Sequence, residues 1–471
     1  MSDGVAKAAT ALHDLTAVEL IEGFRAKAFS PVEALDDVLA NISRWEPSIK
    51  ALYAFDPDGA RAVAKASTER WRNGAPIGPL DGVPTTIKEN VATKGVPIPL
   101  GAATTKLVPA ALDAPPSARL REAGAVIFSK TTMPDYGMLS SGLSSFHPLT
   151  RNPWDLSKNT GGSSAGAGAA GAAGYGPLHL GTDIGGSVRL PACWCGIFAL
   201  KPSLGRIPID PPYVGRCAGP MTRTVADAAL MMSVLSLPDA RDGMSLPPND
   251  FDWSALAIEP RGLRIGLMLD AGVGQALEQP VRDVVVRAAK AFEAAGALVT
   301  EVAGVMTRET LDGLDHFWRA RMWDDVAKFT PEQRARMLPY IERWAETGAT
   351  LSGVDVIRGF NATMTIRAAA AKLFSSLAYV LSPVSPVVKF AAELASPLND
   401  PDKPFEHIGY TVPWNMSEHP AASINAGYDA SGFPIGLQIV GRRFDDLGVL
   451  RMAKAFEGIR GPQRPWPSPP K

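Results

Sequence analysis

The chain has 471 residues, of which 46% are hydrophobic and 20% are charged, and its formal net charge is -1. A chain of this length can bury a large core without disulfides or structural metals. Its neutral charge balance excludes the strongly basic signature of a dedicated nucleic-acid-binding protein. No stretch approaches the ~18 consecutive apolar residues of a membrane span. From the charge balance and the lack of such a stretch, we expect neither a nucleic-acid partner nor a membrane partner.

The three cysteines, Cys193, Cys195 and Cys217, are an odd number in a long chain. This argues against a disulfide framework and favours a reducing cytoplasm. Cys193 and Cys195 are separated by one residue, whereas redox and zinc pairs have two, so we interpret them as packed thiols. The N-terminal residues 1–15 lack the apolar core of a secretory signal. The sequence predicts a cytoplasmic protein with no bound metal and no cofactor.

The first third of the chain predicts alternating helices and strands. Ser30-Pro31-Val32-Glu33 supplies an N-cap, a proline at the first helical position and an acid three residues after the cap. A turn at Gly82 precedes a β-branched run that ends at Lys88. Residues 117–123 predict a short helix and residues 125–130 a buried strand. This alternation is typical of an α/β layer architecture.

The rest of the chain continues the same pattern. Thr224 is the predicted N-cap of an amphipathic helix. Residues 310–378 are mostly helical, and their aromatic side chains predict either a wall of a substrate pocket or packing between helices. Further predicted strands cover 263–269, 297–302, 379–383 and 436–441, with a helix over 280–294. Without repeats or linkers, we expect one domain over 1–471, with an N-terminal helical region (1–75), a core (76–230) and a helical substrate cap (310–378).

Residues 159–171 are too rich in glycine, serine and alanine for an ordinary core, and they match two common motifs. Residues 166–171 satisfy G-x-G-x-x-G, but we predict no strand at 153–160, and the next acid, Asp183, follows too soon for dinucleotide binding. Residues 162–166 match G-x-S-x-G with Ser164 at the centre. That motif also needs a preceding strand and a later acid and histidine. The available histidines, His316, His407 and His419, have no local signature.

A third interpretation uses the segment 181–192. Glycines allow consecutive backbone N–H groups to point into one concavity, which can hold an oxyanion. The candidate donors are Ile184, Gly185, Gly186 and Ser187. Ser187 lies at the rim as a candidate nucleophile, which requires a base. Without a nearby histidine, the candidate base is Lys88, provided that burial or another cation lowers its pKa.

These residues together resemble the amidase signature family. The resemblance rests on Lys88, Gly161-Gly162-Ser163-Ser164-Ala165-Gly166 and the segment 181–192, and it is strengthened by 196–203 and 432–441. Ser187 lies 24 residues after Ser163, as the family requires. The resemblance implies an α/β fold with a central mixed, twisted β-sheet covered on both faces by helices.

The resemblance also implies a chemistry, the hydrolysis of a carboxylic amide. Ser187 would be the nucleophile that forms an acyl-enzyme, Lys88 the base, and Ser163 a bridging serine after a cis peptide bond. Nearby residues would support the loop, with an ion pair between Asp183 and Arg189, hydrogen bonding by Thr182 within the loop, and backbone support from Ser164. We expect a small-molecule amide substrate and a homodimer, as is common among relatives.

The substrate is less sharply defined by the sequence. Ala165 stands where the family often has glycine, a change that occurs in members acting on xenobiotic, aryl or nylon-type amides. The predicted pocket includes Tyr136, Met138, Trp194 and Trp318. The main alternative is the glutamine-hydrolysing A subunit of a tRNA-dependent amidotransferase, although no clear Glu-Gly-x-Arg-Phe-Gly segment is present. A catalytically inactive scaffold is a further alternative.

Overall fold

The computed structural model describes residues 11–470, and its central feature is a mixed sheet of eleven strands. The helices are α1 (Ala17–Ala26), α2 (Pro31–Ile49), α3 (Pro57–Arg72), α4 (Pro115–Glu122), α5 (Ala165–Ala173), α6 (Arg189–Cys195), α7 (Val225–Leu235), α8 (Gln279–Ala294), α9 (Arg308–Val326), α10 (Pro331–Arg334), α11 (Pro339–Glu346), α12 (Gly353–Phe374), α13 (Val412–Met416) and α14 (Asp446–Ile459). The strands are β1 (Leu52–Tyr53), β2 (Pro84–Lys88), β3 (Val126–Thr131), β4 (Arg151–Asn152), β5 (Asp155–Asn159), β6 (Leu178–Asp183), β7 (Phe198–Lys201), β8 (Cys217–Thr222), β9 (Arg264–Leu267), β10 (Leu298–Glu301), β11 (Tyr379–Pro383), β12 (Ala421–Tyr428) and β13 (Pro434–Gly441).

The strand order in the large sheet is β1-β3-β2-β6-β8-β7-β12-β13-β11-β9-β10. Strands β3, β2 and β6 are parallel to one another, as are β11, β9 and β10. Antiparallel strands β8, β7, β12 and β13 lie between these two parallel groups. The sheet is therefore mixed, as predicted.

Helices cover both faces of this sheet. Along β7, Ala199 packs in a cluster with residues of α5 and α6, whereas its neighbours Phe198 and Leu200 pack in the main core with α7 and α14. Successive side chains of a strand point to opposite faces, so these two apolar clusters lie on opposite sides of the sheet. The structure confirms the layered α/β architecture.

Local signals in the sequence correctly placed several helix starts. Ser30 accepts a hydrogen bond from Glu33 N–H and the Glu33 side chain accepts one from Ser30 N–H, which completes the capping box at the start of α2. The Thr224 side chain caps α7. Residues 310–378 are mostly helical, as expected, and contain most of α9 and all of α10–α12.

One prediction about local structure was wrong. Residues 155–159, where no strand was predicted, form β5, which pairs with β4 in a separate two-stranded sheet. The polar sequence of this segment gave no strand signal because the hairpin covers the protein surface on one side instead of crossing the core. β5 lies outside the large sheet, so it does not provide the central strand that a nucleophile elbow requires.

The parallel pairing of β2 with β6 determines where the site forms. Thr85 pairs with Leu178 and Ile87 with Leu180, so both strands end at the same edge of the sheet. Helix α5 packs closely on this region, and a Cβ on Gly166 would lie 2.2 Å from the Ala51 carbonyl oxygen. The glycines of α5 therefore permit a close approach of helix and sheet.

None of the helices in the described residues of the chain combines the length and apolar content that crossing a bilayer requires. The interpretation of residues 1–15 falls largely on residues 1–10, which lie outside the described residues, as does the start of the predicted N-terminal helical region (1–75). The division of the chain into an N-terminal region, a core and a cap stays a prediction.

Candidate active site

Lys88 is the last residue of β2, at the sheet edge where β6 also ends. Its Nζ lies 2.8 Å from Ser163 Oγ and 3.1 Å from Ser164 Oγ. The fold thus brings together a lysine and two serines that are about 75 residues apart in the chain. Lys88 is in contact with the serine that the resemblance assigned to it.

The environment of Lys88 favours the neutral amine. The side chain is fully buried, and this burial lowers the pKa of Lys88 well below the ordinary lysine value. The Arg216 charge lowers this pKa further, whereas the Asp183 and Glu89 carboxylates raise it. Burial has the largest effect because a charged ammonium group loses its hydration there. A neutral amine has a lone pair that can accept a proton.

Ser163 and Ser164 lie just before α5 and have different surroundings. The peptide bond between Gly162 and Ser163 is cis. Ser163 lines a cavity of about 540 Å³, which we call the main cavity. Ser164 faces away from that cavity: its Oγ donates to the Thr182 carbonyl over 3.2 Å and accepts from Thr182 N–H over 3.3 Å. Ser164 therefore joins Lys88 to the end of β6, in line with the predicted support of the loop.

Ser187 lies in the loop between β6 and α6. Its residue exposure is 9%, and it lines the same cavity as Ser163. The Ser164 N–H donates to the Ser187 carbonyl over 3.1 Å, which joins the two loops through their backbones. Ser163 Oγ has Lys88 as its hydrogen-bond partner, and no hydrogen bond among the described residues joins it to Ser187 Oγ.

The loop before Ser187 provides three free backbone donors. The N–H groups of Ile184, Gly185 and Ser187 have no acceptor within residues 11–470. The Gly186 N–H differs from our expectation, because it donates to Asp183 Oδ1 over 2.8 Å and so is not available to a substrate oxygen. Gly186 has a φ of 128°, a conformation that favours glycine.

A buried ionic network holds this loop in place. Arg189 and Asp183 form the predicted ion pair, with Arg189 Nη2 donating to Asp183 Oδ1 over 2.9 Å. Arg189 also donates to Gln438 and Asn415, and Asn415 Nδ2 donates to Asp183 Oδ1 over 2.9 Å. Burial raises the pKa of Asp183, but the Arg189 charge and these hydrogen bonds outweigh it and lower the pKa below its ordinary value. The carboxylate is therefore charged and fixed.

Sequence reasoning missed Asn90, which lines the cavity next to Thr182. Asn90 Nδ2 donates to Thr182 Oγ1 over 3.1 Å, so Thr182 bonds to the segment after β2 and not, as predicted, within its own loop. The sequence indicated Asn90 only through its position in the chain. Asn90 follows Lys88 by two residues, just past the carboxyl end of a strand, where polar side chains of neighbouring parallel strands meet.

The main cavity has a volume of about 540 Å³, and both Ser163 and Ser187 line it. Three of the four predicted pocket residues, Tyr136, Met138 and Trp318, also line it. The fourth, Trp194, does not: it is fully buried, its Nε1 donates to the Val387 carbonyl over 3.3 Å, and it packs edge-on against Phe390. Trp194 lies beneath Gly161, where its ring fills the space that a Cβ would occupy.

The aromatic residues of the cap have mixed roles. Trp318 lies on the cavity wall and packs against Phe405 at 5.0 Å between ring centroids. Phe317 instead packs against Phe360 between α9 and α12, and Trp344 packs against Phe405 from α11. Both predictions for this region therefore apply, each to different side chains.

The candidate histidines and cysteines lie elsewhere. The residues that line the main cavity within the described chain include no histidine, and His419 Nδ1 is bonded to Ser417. Cys193 and Cys195 are buried free thiols, and burial raises the pKa of Cys193 to about 12. Such a thiol is protonated and unreactive at neutral pH, as expected for packed cysteines.

Comparisons with known proteins agree with this geometry. A family model described as Amidase matches residues 33–450. The A subunit of the glutamyl-tRNA(Gln) amidotransferase of Chloroflexus aurantiacus is 33% identical, with 96% of this chain and 97% of that protein covered. An acylamidase of Rhodococcus erythropolis is 32% identical, with 97% and 96% covered. The structure of a bacterial aryl acylamidase superposes with a TM-score of 0.87 at 29% identity, covering 96% of this chain and 97% of that one.

The chain belongs to the amidase family. It is an enzyme that hydrolyses amide bonds, and its fold is that of the amidase signature enzymes.

Proposed function

We propose that this enzyme cleaves a carboxylic amide through an acyl-enzyme on Ser187, with Ser163 relaying protons and neutral Lys88 acting as the base. The observation that carries the proposal is the 2.8 Å contact between Lys88 Nζ and Ser163 Oγ, made by a buried lysine of lowered pKa. A serine hydroxyl is a weak nucleophile unless a base removes its proton.

In the first half of the reaction, Lys88 takes the proton of Ser163, and Ser163 takes that of Ser187 as Ser187 Oγ attacks the amide carbonyl. The second transfer requires the two hydroxyls to come into contact, and catalytic hydrogen bonds often tighten only in the complex with substrate. The oxyanion accepts hydrogen bonds from the free N–H groups of Ile184, Gly185 and Ser187. These donors are already oriented, because the ionic network of Asp183 fixes the loop.

In the second half, the relay runs backwards. The proton passes from Lys88 through Ser163 to the leaving nitrogen, which departs as a neutral amine and leaves the acyl group on Ser187. Water then attacks the ester with the same assistance, releases the acid and restores the enzyme. Protonation of the nitrogen matters as much as nucleophilic attack, because an amine anion is a very poor leaving group.

We further propose that the substrate is a small amide with an aryl or extended apolar group. The apolar wall of Met138 and Trp318 and the similarity to an acylamidase and an aryl acylamidase support this class. We also propose that the enzyme acts as a single amidase domain in which residues 310–378 cap the site, since Trp318 and Arg321 of α9 line the cavity. The cytoplasmic location and the homodimer stay predictions of the sequence.

The alternative function is release of ammonia from glutamine as the A subunit of an amidotransferase, which the 33% identity to such proteins supports. An activity assay on the purified chain, without partner proteins, distinguishes these two functions. A stand-alone amidase should hydrolyse 4-nitroacetanilide, with release of 4-nitroaniline, and Ser187→Ala should abolish this release. Turnover of glutamine but not of the anilide, and only when the other amidotransferase chains are added, would favour the alternative.

A further inference from the structure

Two cavities with different linings lie next to Ser187. A smaller apolar cavity adjoins the main one, and it is lined by Met138, Leu139, Phe405 and Ile408. Ser187 lines both cavities, so it lies where they meet. The main cavity differs in character, because Arg216 lines it alone, whereas Arg321 lines both cavities and so lies, like Ser187, where they meet.

Within the part of the chain that the structure describes, neither arginine forms an ion pair with a carboxylate. Among residues 11–470, no carboxylate oxygen lies within 4.0 Å of a nitrogen of Arg216 or Arg321. Arg216 Nη1 donates to the Pro211 carbonyl over 3.0 Å, and Arg321 lies over the ring of Tyr213 at 4.0 Å from its centroid. These contacts hold the two side chains in place, but neither brings a negative charge into direct contact with a guanidinium group.

The two charges also act on each other. Burial lowers the pKa of Arg216 to about 10, and the Arg321 charge contributes to this lowering, while Asp210 raises it. Asp210 and Asp325 line the same cavity, but Asp325 has Lys328 Nζ at 4.0 Å as its own partner. Two like charges that are brought together without a carboxylate in direct contact destabilise each other, and a bound anion would relieve this repulsion.

We propose that Arg216 and Arg321 form an anion subsite, so that the enzyme favours amides with an apolar group on one side of the scissile bond and a carboxylate or phosphonate on the other. This inference rests on the proposed function, and it narrows the substrate class. A guanidinium offers parallel donors that match either anion. The apolar group occupies the cavity of Met138 and Phe405, and the anion occupies the arginine side of the main cavity.

The test compares 4-nitroanilides of matched acyl chains: succinic acid, 3-phosphonopropionic acid and the uncharged 4-oxopentanoic acid. A second set, N-benzoyl-β-alanine and N-propylbenzamide, places the anion on the amine side. All rates are measured on the full chain at a pH where the activity has reached its plateau, so that the protonation of Lys88 does not enter. We expect kcat/KM to be about tenfold or more higher for the anionic member of at least one set. Comparison of kcat/KM for the succinic and the 3-phosphonopropionic anilide shows whether the subsite prefers a carboxylate or a phosphonate.

The variants Arg216→Gln and Arg321→Gln should each reduce the ratio of anionic to neutral kcat/KM at least about fivefold, through KM. Added salt should reduce it in the wild type as well. Arg358→Gln is the matched control, because Arg358 is an exposed arginine on α12 that does not line the cavity. It should leave the ratio unchanged.

The inference is overturned if the neutral member of each set is cleaved as well as the anionic members of that set, or if the preference survives in both cavity variants. If no anilide or benzamide is cleaved, protection of Ser187 from a fluorophosphonate probe by 4-phenylbutyrate, compared with 4-phenylbutanol, gives the answer. Labelling without selective protection by the carboxylate overturns the subsite alone. An absence of any labelling at Ser187 overturns the proposed function instead.

Discussion

Lys88 Nζ lies 2.8 Å from Ser163 Oγ, although the two residues come from a strand end and a glycine-rich loop 75 positions apart. The contact forms because β2 and β6 are parallel neighbours and α5 packs on both of them. A lysine at this position loses its hydration, which lowers the pKa of its amine well below the ordinary lysine value. The proposed catalysis depends on this pair.

The two serines next to Lys88 should differ in their importance. Ser163→Ala removes the proposed relay and should lower kcat about 10²- to 10⁴-fold, the range for general acid–base catalysis. Ser164→Ala is the matched control, because it also loses a contact with Lys88 but does not line the cavity. Steady-state hydrolysis of an acyl anilide gives both values. A larger loss in Ser164→Ala would restore the nucleophile-elbow interpretation.

Activity should rise with pH to an alkaline plateau, because only neutral Lys88 can accept a proton. Since burial and then the Arg216 charge lower the pKa of Lys88, the neutral form persists to lower pH than for an ordinary lysine. In Arg216→Gln one of these causes is removed, while Asp183 and Glu89 still raise the pKa. The acid limb of kcat/KM for an uncharged anilide should therefore move to higher pH. A rate maximum at about pH 5 would contradict a lysine base.

The Asp183–Arg189 pair should contribute strongly to stability. Arg189→Met leaves the Asp183 carboxylate buried without its cation, which should lower the free energy of unfolding by about 3 to 5 kcal/mol. Arg343→Met removes an exposed pair with Asp402 and should cost less than about 1 kcal/mol. Urea unfolding of the two variants measures the difference. Equal effects would show that burial of the pair is not decisive.

Trp318 should affect substrate binding, because it lies on the cavity wall. Trp318→Leu is expected to raise KM for an aryl amide about tenfold, since some of the apolar wall is lost. Trp344→Leu is the control: Trp344 packs on the same ring of Phe405, but it does not line the cavity. That variant should lower the melting temperature with little change in KM. A similar rise of KM in both would assign Trp318 to packing alone.

Local patterns predicted much of the fold and the position of the site. The end of β2 at Lys88 and the caps at Ser30 and Thr224 follow from residues that are adjacent in the chain. The proposed roles of Ser163 and Ser187 came from a long motif of the family. The resemblance also implied the cis peptide bond before Ser163.

What the sequence did not reveal depends on distant contacts. Trp194 looked like a pocket residue, but its partner Val387 is 193 residues away and holds it in the core. The loss of Gly186 as an oxyanion donor depends on the orientation of the Asp183 carboxylate, which Asn415 helps to fix. Arg216 is an ordinary basic residue in the sequence until the fold places it beside Arg321.

The most direct test of the central claim is the rate at which a fluorophosphonate labels Ser187 in the wild type and in Lys88→Met, measured by mass spectrometry over a range of pH. We predict labelling at Ser187 alone, with a rate that rises with pH to a plateau in the wild type. In Lys88→Met the rate should fall by about 10²-fold or more and lose this pH dependence. Equal labelling rates in the two proteins would contradict the account, and so would modification of Ser164 in place of Ser187.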